Sequence, residues 1–414
     1  MSPLLAVADD LTGAQGLAGR WAGRRGPAWV AASALALRGL KGPRVLSVES
    51  RFLGPGAARA AVARGWAGLG PAGATCYQKI DSTLRGNPGE EVEALLLATG
   101  AAWVAVLPAY PELGRQVLAG RVRVHGRPLA STEYARDPLT PARAERVSDL
   151  FPRALAAHAP LADVAAGGRR LRGWIGRARR RGARFISFDC AVAPQVGAIT
   201  AACLAEGCRH FAGAADLGGA LAAQVLGPAR RPRAPRGLPW LVLAGTVSAS
   251  TFTQLERLRA GGRCRWEPRL RARGRAFTCE AAPLGGLRAA LKADRALALS
   301  SLGARADLGP WRRREAARGR DAAAAAERAI QGLVAWGLRV AGSAASCGWF
   351  LTGGHTLAAF YRRGGFERCR IDGELLREAP LGLAQGPGGE AWVASKPGGF
   401  GADDLLSRFL EAAL

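Results

Sequence analysis

Short apolar runs alternate with longer segments rich in Ala, Leu and Arg along all 414 residues of the chain. Each run is about five residues long, the usual length of a buried strand. The runs lie at 4–8, 45–48, 103–107, 185–188, 240–244, 296–299, 349–352 and 392–395. Strands that alternate with helices form βα units, which assemble into parallel sheets with helices on their faces. The alternation therefore predicts an α/β fold with mostly parallel sheets flanked by helices.

One segment interrupts this pattern. Residues 227–237 contain Pro228, Pro232 and Pro235, which lack a backbone donor and fix φ, so the segment suits neither a helix nor a central strand. It is predicted to be a linker. Because the chain is longer than one hydrophobic core usually serves, we expect two domains, 1–226 and 238–414, each with its own sheet.

The chain is strongly basic, with 58 Lys and Arg against 32 Asp and Glu and a net charge of +26. Such an excess is typical of proteins that bind nucleic acid or anionic membranes. Only four of the basic residues are lysines, however, and Asn87 is the single asparagine, as in a GC-rich coding bias. The arginine-rich stretch 169–184 is interpreted as a solvated helix face. Nucleic acid is therefore disfavoured as a partner, and the retained lysines become candidates for chemistry.

The cysteines and the first residues indicate a cytoplasmic protein. None of the eight cysteines forms a C-x-x-C pair, so zinc-ligand spacing is absent. No apolar run approaches the roughly 18 residues that a membrane helix needs. The first run is cut short by Asp9 and Asp10, unlike a signal peptide. We expect reduced thiols and no membrane partner.

The acidic pair Asp9 and Asp10 follows the first predicted strand and precedes a predicted helix. Functional groups gather at the carboxyl ends of strands in α/β sheets. The two carboxylates could accept a substrate hydroxyl or hold a metal ion. They could equally cap the helix, together with Thr12. Spacing alone leaves both interpretations open.

A second segment, Lys-Ile-Asp-Ser-Thr-Leu-Arg-Gly-Asn, begins at Lys79. A Lys and Arg85 close to the hydroxyl of Ser82 suit a ligand that carries a carboxylate or phosphate. Asp81 could be a base or could orient the lysine. A capped helix start with surface charges is the alternative, and ligand binding is favoured. A Glu-Ser-Arg turn that ends in Arg51 carries little information by itself.

Three glycine-bearing turns lie between predicted strands and helices of the second domain, at 245–248, 352–356 and 395–401. Backbone N–H groups at such turns and at helix N-termini bind phosphate. None of the turns matches a P-loop or a dinucleotide fingerprint. Together, and with Lys396 in the third, they predict nucleotide binding.

In their order along the chain, these segments resemble the four-carbon acid sugar kinase family, which includes threonate, erythronate and 3-oxo-tetronate kinases. The resemblance covers nearly the whole chain, and KIDSTLRGN is its most specific motif. It is carried by ADDLTGA at 8–14, ESR at 49–51, KIDSTLRGN at 79–87, PAYPELGR at 108–115, GTVSAST at 245–251, TGGHT at 352–356 and SKPGGFGADD at 395–404.

The resemblance implies an N-terminal domain that binds the acid sugar and a C-terminal domain that binds ATP. The γ-phosphoryl group would pass to the terminal 4-hydroxyl, with Mg²⁺ bridging the phosphates on unknown protein ligands. Arg51 and Lys79 would hold the substrate carboxylate, and Asp10 would be the base, with Asp81 as the second candidate. The implied substrate-binding residues are Asp10, Arg51, Lys79, Asp81, Ser82 and Arg85.

On the nucleotide side, the resemblance points to the three glycine-bearing turns. The implied residues are Thr246, Ser248, Gly353, Gly354, His355, Thr356, Lys396, Gly398, Gly399 and Gly401.

Two positions in the nucleotide-side turns depart from the family pattern. His355 stands where the family usually has Asp or Glu, and Pro397 stands where it usually has Ser. A carboxylate and a hydroxyl are thereby lost, so a catalytically weakened sugar-acid-binding homologue with a regulatory role is the alternative function. The acid and its stereochemistry, domain closure and the oligomeric state, a homo-oligomer included, are left open by the sequence.

Overall fold

The computed structural model describes residues 3–137, 140–245, 248–262, 264–273, 276–278 and 283–414. The chain separates into two compact units, Met1–Arg230 and Arg231–Leu414. The division lies inside the predicted linker 227–237, which is described throughout and contains neither helix nor strand. Its prolines explain the lack of regular structure.

Strands and helices alternate along most of the first unit. Its strands are β1 (Leu4–Ala8), β2 (Ala28–Ala31), β3 (Arg44–Ser47), β4 (Thr75–Lys79), β5 (Val104–Leu107), β6 (Arg115–Leu118), β7 (Arg121–Val124), β8 (Arg127–Pro128), β9 (Ala156–Ala159), β10 (Phe185–Phe188) and β11 (His210–Gly213). Its α-helices are α1 (Leu11–Trp21), α2 (Pro55–Leu69), α3 (Pro88–Thr99), α4 (Leu161–Ala166), α5 (Gly168–Arg180), α6 (Ala193–Ala205) and α7 (Ala215–Leu226).

The main sheet of the first unit has the strand order β2-β3-β1-β4-β11-β5-β10-β9. Every neighbouring pair in it is parallel. Strands β1, β4 and β10 are buried along their whole length, as expected where helices cover both faces of a parallel sheet. A separate small antiparallel sheet is formed by β6, β7 and β8.

Helix α1 is held against the sheet and α7 by Trp21. The Trp21 indole packs edge-on against the Tyr77 ring of β4, with 6.0 Å between ring centroids. Its Nε1–H donates to the carbonyl of Gly218 on α7 at 2.9 Å. This contact anchors α1, whose N-terminus carries the first acidic motif.

Helix α5 contains most of the arginine-rich stretch. Leu171, Ile175 and Ala178 are buried on one face, at the spacing of an amphipathic helix. The arginines between them are exposed. The stretch is therefore a solvated helix face in the structure.

The second unit begins with a strand that directly follows the linker. Its strands are β12 (Trp240–Ala244), β13 (Arg265–Arg273), β14 (Ala276–Thr278), β15 (Ala296–Leu302), β16 (Gly348–Thr352), β17 (Arg368–Leu376), β18 (Ala379–Gly386) and β19 (Gly389–Lys396). Its α-helices are α8 (Ala249–Ala260), α9 (Leu284–Ala293), α10 (Leu308–Ala317), α11 (Ala322–Ala341), α12 (Gly354–Gly364) and α13 (Leu405–Ala413).

The sheet of the second unit has the strand order β14-β13-β15-β12-β16-β19-β18-β17. Its centre, from β13 to β19, is parallel, and β14, β18 and β17 pair antiparallel with their neighbours. Phe409 of α13 packs on one face against Trp240 and Phe350, with ring centroids 4.9 and 4.6 Å apart. The parallel centre brings the three glycine-bearing turns to one edge of this sheet.

Each predicted run coincides with a strand, namely β1, β3, β5, β10, β12, β15, β16 or β19. The predicted α/β fold with mostly parallel strand pairing and flanking helices is thus confirmed. The antiparallel strands were not predicted. In β17 buried and half-buried residues alternate, which produces no continuous apolar run. Among the described helices, none is long and apolar enough to cross a membrane.

Candidate active site

Three neighbouring strands of the first unit, in the order β3-β1-β4, end beside one another. They are parallel, with Ala8 opposite Ser47 on one side and Lys79 on the other. The acidic pair, the Glu-Ser-Arg turn and the segment after Lys79 therefore meet at one edge of the sheet. The structure brings these three predicted motifs together.

Arg51 lies at the centre of this cluster. Its Nε and Nη2 are 2.8 and 2.7 Å from Asp9 Oδ2, and its Nη1 is 2.9 Å from Asp10 Oδ2. Three guanidinium nitrogens thus contact two carboxylates. The planar guanidinium group provides this geometry, and a lysine ammonium group does not. Arg51 Nη2 is also 3.8 Å from Asp81 Oδ1.

Charge and burial act in opposite directions on the two acids. Burial raises the pKa of Asp9, and Arg51 only partly opposes this effect. Burial would also raise the pKa of Asp10, but Arg51 and Lys79 outweigh it and lower that pKa below its usual value. The three carboxylates raise the pKa of Arg51 well above its usual range despite its burial. Asp10 is consequently ionised at neutral pH.

Asp10 combines two tasks that the sequence left as alternatives. Its Oδ1 accepts the Gly13 N–H at 2.8 Å and so caps α1. Its Oδ2 accepts the Thr12 hydroxyl at 2.6 Å and the Arg51 guanidinium. A carboxylate offers about four acceptor positions, so one position remains for a ligand hydroxyl.

Lys79 ends β4 and reaches towards Asp10. Its Nζ donates to the carbonyl of Ile80 at 2.8 Å. A Cβ at Gly13 would lie 3.2 Å from Nζ and 2.4 Å from Asp10 Oδ1. Glycine at position 13 therefore allows both charged groups to approach the helix N-terminus.

Asp81 is held by residues of its own segment. Arg85 donates to it through Nε and Nη2, both at 3.0 Å. The Thr83 hydroxyl donates to the same carboxylate. Burial would raise the pKa of Asp81, but Arg85 and Arg51 hold it well below its usual value. Asp81 therefore has strong protein partners, which suits an orienting group better than a base.

Arg85 also connects the segment to residues that the sequence did not single out. Its Nη1 is 3.2 Å from Asp137 Oδ2. Its guanidinium carbon lies 5.2 Å from the Tyr134 ring centroid, and that of Arg115 lies 5.9 Å from the same centroid. Tyr134 thus links the Pro-Ala-Tyr-Pro motif, which ends at Arg115, to the cluster.

Asn87, the single asparagine, has a structural role. Its Nδ2 donates to the carbonyls of Ser50 and Leu53 at 3.1 and 2.9 Å. The Ser50 hydroxyl in turn donates to Glu91 of α3 at 2.7 Å. These contacts fix the turn that carries Arg51.

Glu91 and Glu49 complete the acidic surroundings of Arg51. Burial and the nearby Asp9 raise the pKa of Glu91 well above its usual value. Desolvation by the surrounding protein, with Asp10, raises the pKa of Glu49 to about 7, although the residue as a whole is exposed. The sequence analysis did not identify Glu91. Its position on the buried side of α3 was the signal that could have identified it.

Two buried polar atoms of this cluster have no hydrogen-bond partner among the described residues. They are Ser82 Oγ and Asp9 Oδ1. An unsatisfied buried polar atom is costly, and a bound polar ligand is one way to satisfy it. Ser82 was a predicted substrate-binding residue, and Asp9 belongs to the predicted acidic pair.

In the second unit, Gly353 and Gly354 lie at the start of α12, directly after β16. The Gly353 N–H donates to the carbonyl of Lys396 at 2.9 Å, which joins the second and third turns. Thr356 Oγ1 is buried and has no partner among the described residues. A Cβ at Gly245 would lie 2.3 Å from it, so the first turn also meets this hydroxyl.

Residues 397–402, which include most of the third turn, are fixed by α8. Gln254 Nε2 donates to the carbonyls of Phe400, Gly401 and Ala402 at 3.2, 3.2 and 2.9 Å. Lys396 is fully buried beneath the turn. The sequence did not identify Gln254 as a site residue, although it lies in the helix that follows the first turn.

The remaining predicted nucleotide residues differ in their surroundings. Thr246 lies outside the described residues, and Ser248 directly precedes α8. His355 lies in the first turn of α12, with Nδ1 3.7 Å from Glu327 Oε2. Glu327 of α11 therefore supplies a carboxylate beside the position where the family usually has one.

Within the described ranges, no three His, Cys, Asp or Glu side chains are grouped so as to hold a metal ion.

The two units correspond to two known domains. Residues 4–224 match the family description of a sugar-binding N-terminal domain. Residues 241–406 match that of a nucleotide-binding C-terminal domain.

Curated relatives share one activity class. The chain is 30% identical over 424 residues to a D-threonate kinase of Salmonella typhimurium, covering 97% of this chain and 96% of that protein. It is 34% identical over 270 residues to a D-erythronate kinase of Heliobacterium modesticaldum, covering 62% and 60%. It is 28% identical over 183 residues to a 3-oxo-tetronate kinase of Actinobacillus succinogenes, covering 43% and 44%.

Solved structures share the fold at low identity. A Haemophilus influenzae protein has a TM-score of 0.71 at 21% identity, covering 99% of this chain and 100% of that one. A Salmonella typhimurium protein described as a putative tRNA synthase has a TM-score of 0.78 at 19% identity, covering 99% of each chain. With both domain matches and a relative aligned along nearly its whole length, the chain belongs to the four-carbon acid sugar kinase family and is a phosphotransferase.

Proposed function

We propose that this protein transfers the γ-phosphoryl group of ATP to the terminal 4-hydroxyl of a four-carbon acid sugar. D-threonate is the first acceptor to test, because the relative aligned along nearly the whole chain is named for it. D-erythronate and 3-oxo-tetronate are the other candidates. The observation that carries the proposal is the buried cluster around Arg51, in which carboxylates, cations and an unpartnered hydroxyl meet at one sheet edge.

In this proposal, the acid sugar is recognised through both of its ends. Lys79 Nζ gives one hydrogen bond to Ile80, which leaves two donors for the substrate carboxylate. The Ser82 hydroxyl, buried without a described partner, would bond a substrate hydroxyl. Asp10, ionised and with one acceptor position left, would receive the proton of the attacking hydroxyl, as an Asp does in protein kinases.

ATP would bind at the glycine-bearing turns of the second unit. Backbone N–H groups at such turns suit the phosphates, and the Thr356 hydroxyl supplies a buried donor beside them. An apolar cleft of about 30 Å³ includes Gly245 and is too small to enclose an adenine ring, so its apolar side chains would contact only an edge of the ring; they are Leu302, Leu308, Trp311, Ala326 and Ile330. Mg²⁺ would arrive with the nucleotide and neutralise phosphate charge.

An ADP-release assay with each of the three acids and Mg²⁺-ATP tests the proposal. Asp10→Asn is the informative variant, because Asn also caps helices and the fold should survive. We expect kcat to fall at least about 100-fold, in keeping with the loss of a general base, and thermal stability to fall as well, because the buried contact with Arg51 loses its charge while the helix cap is kept. Asp149→Asn, at an exposed acid of the same unit, is the matched control and should retain full activity. Folded wild-type protein that turns over none of the three acids would exclude this function.

A catalytically weakened sugar-acid binder is the second candidate, and His355 and Pro397 favour it. His355 lies 3.7 Å from a carboxylate that another helix provides, so the local charge differs from the family pattern. Titration calorimetry separates the two functions. A weakened homologue binds the sugar acid without measurable affinity for ADP, whereas the kinase binds both.

A further inference from the structure

Lys396 is the last residue of β19, and its side chain is 0% exposed. Its Nζ donates to Thr251 Oγ1 at 3.0 Å, to the Pro397 carbonyl at 3.2 Å and to the Gly398 carbonyl at 3.0 Å. An ammonium group has three N–H donors, so all three are used by protein oxygens. Lys396 therefore has neither the exposure nor a spare donor for a ligand.

Thr251, in the first turn of α8, completes this arrangement. Its hydroxyl accepts from Lys396 and donates to the Gly398 carbonyl at 2.7 Å. Gln254, one turn further along α8, donates hydrogen bonds to the carbonyls of Phe400, Gly401 and Ala402. Most carbonyls between Pro397 and Ala402 thus point inward, towards α8 and the buried lysine.

The orientation of these carbonyls determines that of the N–H groups. The peptide bonds are trans, and in a planar trans peptide the N–H points opposite to the C=O. The carbonyls of Pro397 and Gly398 face Lys396, so the N–H groups of Gly398 and Gly399 face away from it. For the same reason, the N–H groups of Gly401 and Ala402 face away from Gln254. One side of the turn is therefore lined with N–H donors.

We propose that Lys396 is a positioning residue that holds two carbonyls of the turn from inside, so that the N–H groups of Gly398 and Gly399 are directed at the phosphates of ATP. This role rests on the proposed binding of ATP at the turn. It differs from direct contact with the nucleotide, the role that the family resemblance implies for Lys396.

The energetics favour such a role. A fully buried lysine is rare, because removing an ammonium group from water is costly unless its donors are satisfied. Burial lowers the pKa of Lys396 to about 7, and Glu378 opposes the shift. A methionine would fill the same space at no desolvation cost, so stability alone does not explain a lysine here.

Two sets of variants test the role. Lys396→Met removes all three donors at similar length. Thr251→Val removes one donor and one acceptor from the same arrangement, while Thr251→Ser retains both. Lys292→Met, at an exposed lysine of the same unit, is the matched control.

The measurements are KM for ATP, KM for the sugar acid and affinity for ADP and adenosine by calorimetry. We expect Lys396→Met to raise KM for ATP and Kd for ADP about tenfold or more, with KM for the acid and Kd for adenosine within about twofold of wild type. Thr251→Val should shift the same constants by a smaller factor, and Thr251→Ser should resemble wild type. A lysine that only stabilises the fold would instead reduce active protein without changing KM for ATP.

Hydrogen exchange without nucleotide gives an independent readout. Amides of residues 398–402 should exchange faster in Lys396→Met and Thr251→Val than in wild type, and no faster in Lys292→Met. If Lys396→Met does not fold, the Val and Ser variants of Thr251 carry the test.

Several outcomes overturn the role. The role is overturned if KM for ATP is unchanged in Lys396→Met, or if KM for ATP and Kd for ADP are the same in Thr251→Val and Thr251→Ser. It is also overturned if the amides of residues 398–402 exchange at the wild-type rate in Lys396→Met and Thr251→Val. A loss of ADP affinity in Lys396→Met with Thr251→Val like wild type would assign direct phosphate contact instead. Wild-type protein that binds no ADP would refute ATP binding itself, whatever the exchange data show.

Discussion

Arg51 Nη1 lies 2.9 Å from Asp10 Oδ2, although the two residues are 41 positions apart in the chain. The pair forms because β3 and β1 are neighbours in a parallel sheet and end at the same edge. Asp10 is capping α1 at the same time, so the guanidinium is fixed relative to a helix N-terminus. The cluster is thus built on rigid elements, as a site that must hold a small substrate in one orientation requires.

Replacing Arg51 by lysine should damage both the site and the fold. A single ammonium cannot span Asp9 and Asp10, so two buried carboxylates would repel each other. We expect Arg51→Lys to lower kcat/KM for the sugar acid about 100-fold and the free energy of unfolding by about 3 kcal/mol. Steady-state kinetics and urea unfolding measure the two effects. Arg38→Lys, at an exposed arginine, is the control. A kcat/KM within threefold of wild type would show that the guanidinium geometry is dispensable.

Gly86 should be needed both for its backbone conformation and for its contact with Arg51. Its φ is +83°, and a Cβ there would lie 3.1 Å from Arg51 Cγ and 3.2 Å from the Arg51 carbonyl oxygen. Gly100 has a φ of +64° with open space around a Cβ, so Gly100→Ala is a matched control for backbone strain alone.

We expect each alanine variant to lose about 1–2 kcal/mol of stability in urea unfolding. Only Gly86→Ala should also lower kcat/KM for the sugar acid several-fold, because Arg51 must shift to accommodate the Cβ. Equal kinetics in the two variants would mean that Arg51 tolerates the displacement.

Asp81 should make stability depend on pH in acid. Its folded pKa lies well below its usual value of 3.8, because Arg85 and Arg51 outweigh burial. The unfolded chain therefore takes up this proton first, and the contribution of Asp81 to stability is present above about pH 4 and lost as pH falls towards the folded pKa.

We expect the free energy of unfolding of the wild type to fall between pH 5 and pH 3, and that of Asp81→Asn to fall less over the same range. Urea unfolding at the two pH values measures the difference. Asp149→Asn, at an exposed acid, should retain the wild-type slope. Parallel slopes for wild type and Asp81→Asn would contradict the assigned pKa.

Local signals in the sequence determined the fold class. Runs such as 240–244 are apolar throughout because helices cover both faces of a parallel sheet, so composition alone marks them as strands. Pro228, Pro232 and Pro235 mark the segment between the units, since closely spaced prolines remove backbone donors and disfavour both a helix interior and a central strand. The motifs that carry the site could be found in the same way, because each is contiguous and ends a strand.

Only the tertiary structure decided which motifs meet and what each side chain does there. The order β3-β1-β4 pairs Arg51 with Asp9 and Asp10, and strand order does not follow from local propensity. The tertiary structure also encloses Lys396, a predicted nucleotide-binding residue, among protein oxygens. Ion pairing and burial arise between residues distant in sequence, so they depend on how the sheet is assembled and not on the residues that surround each motif.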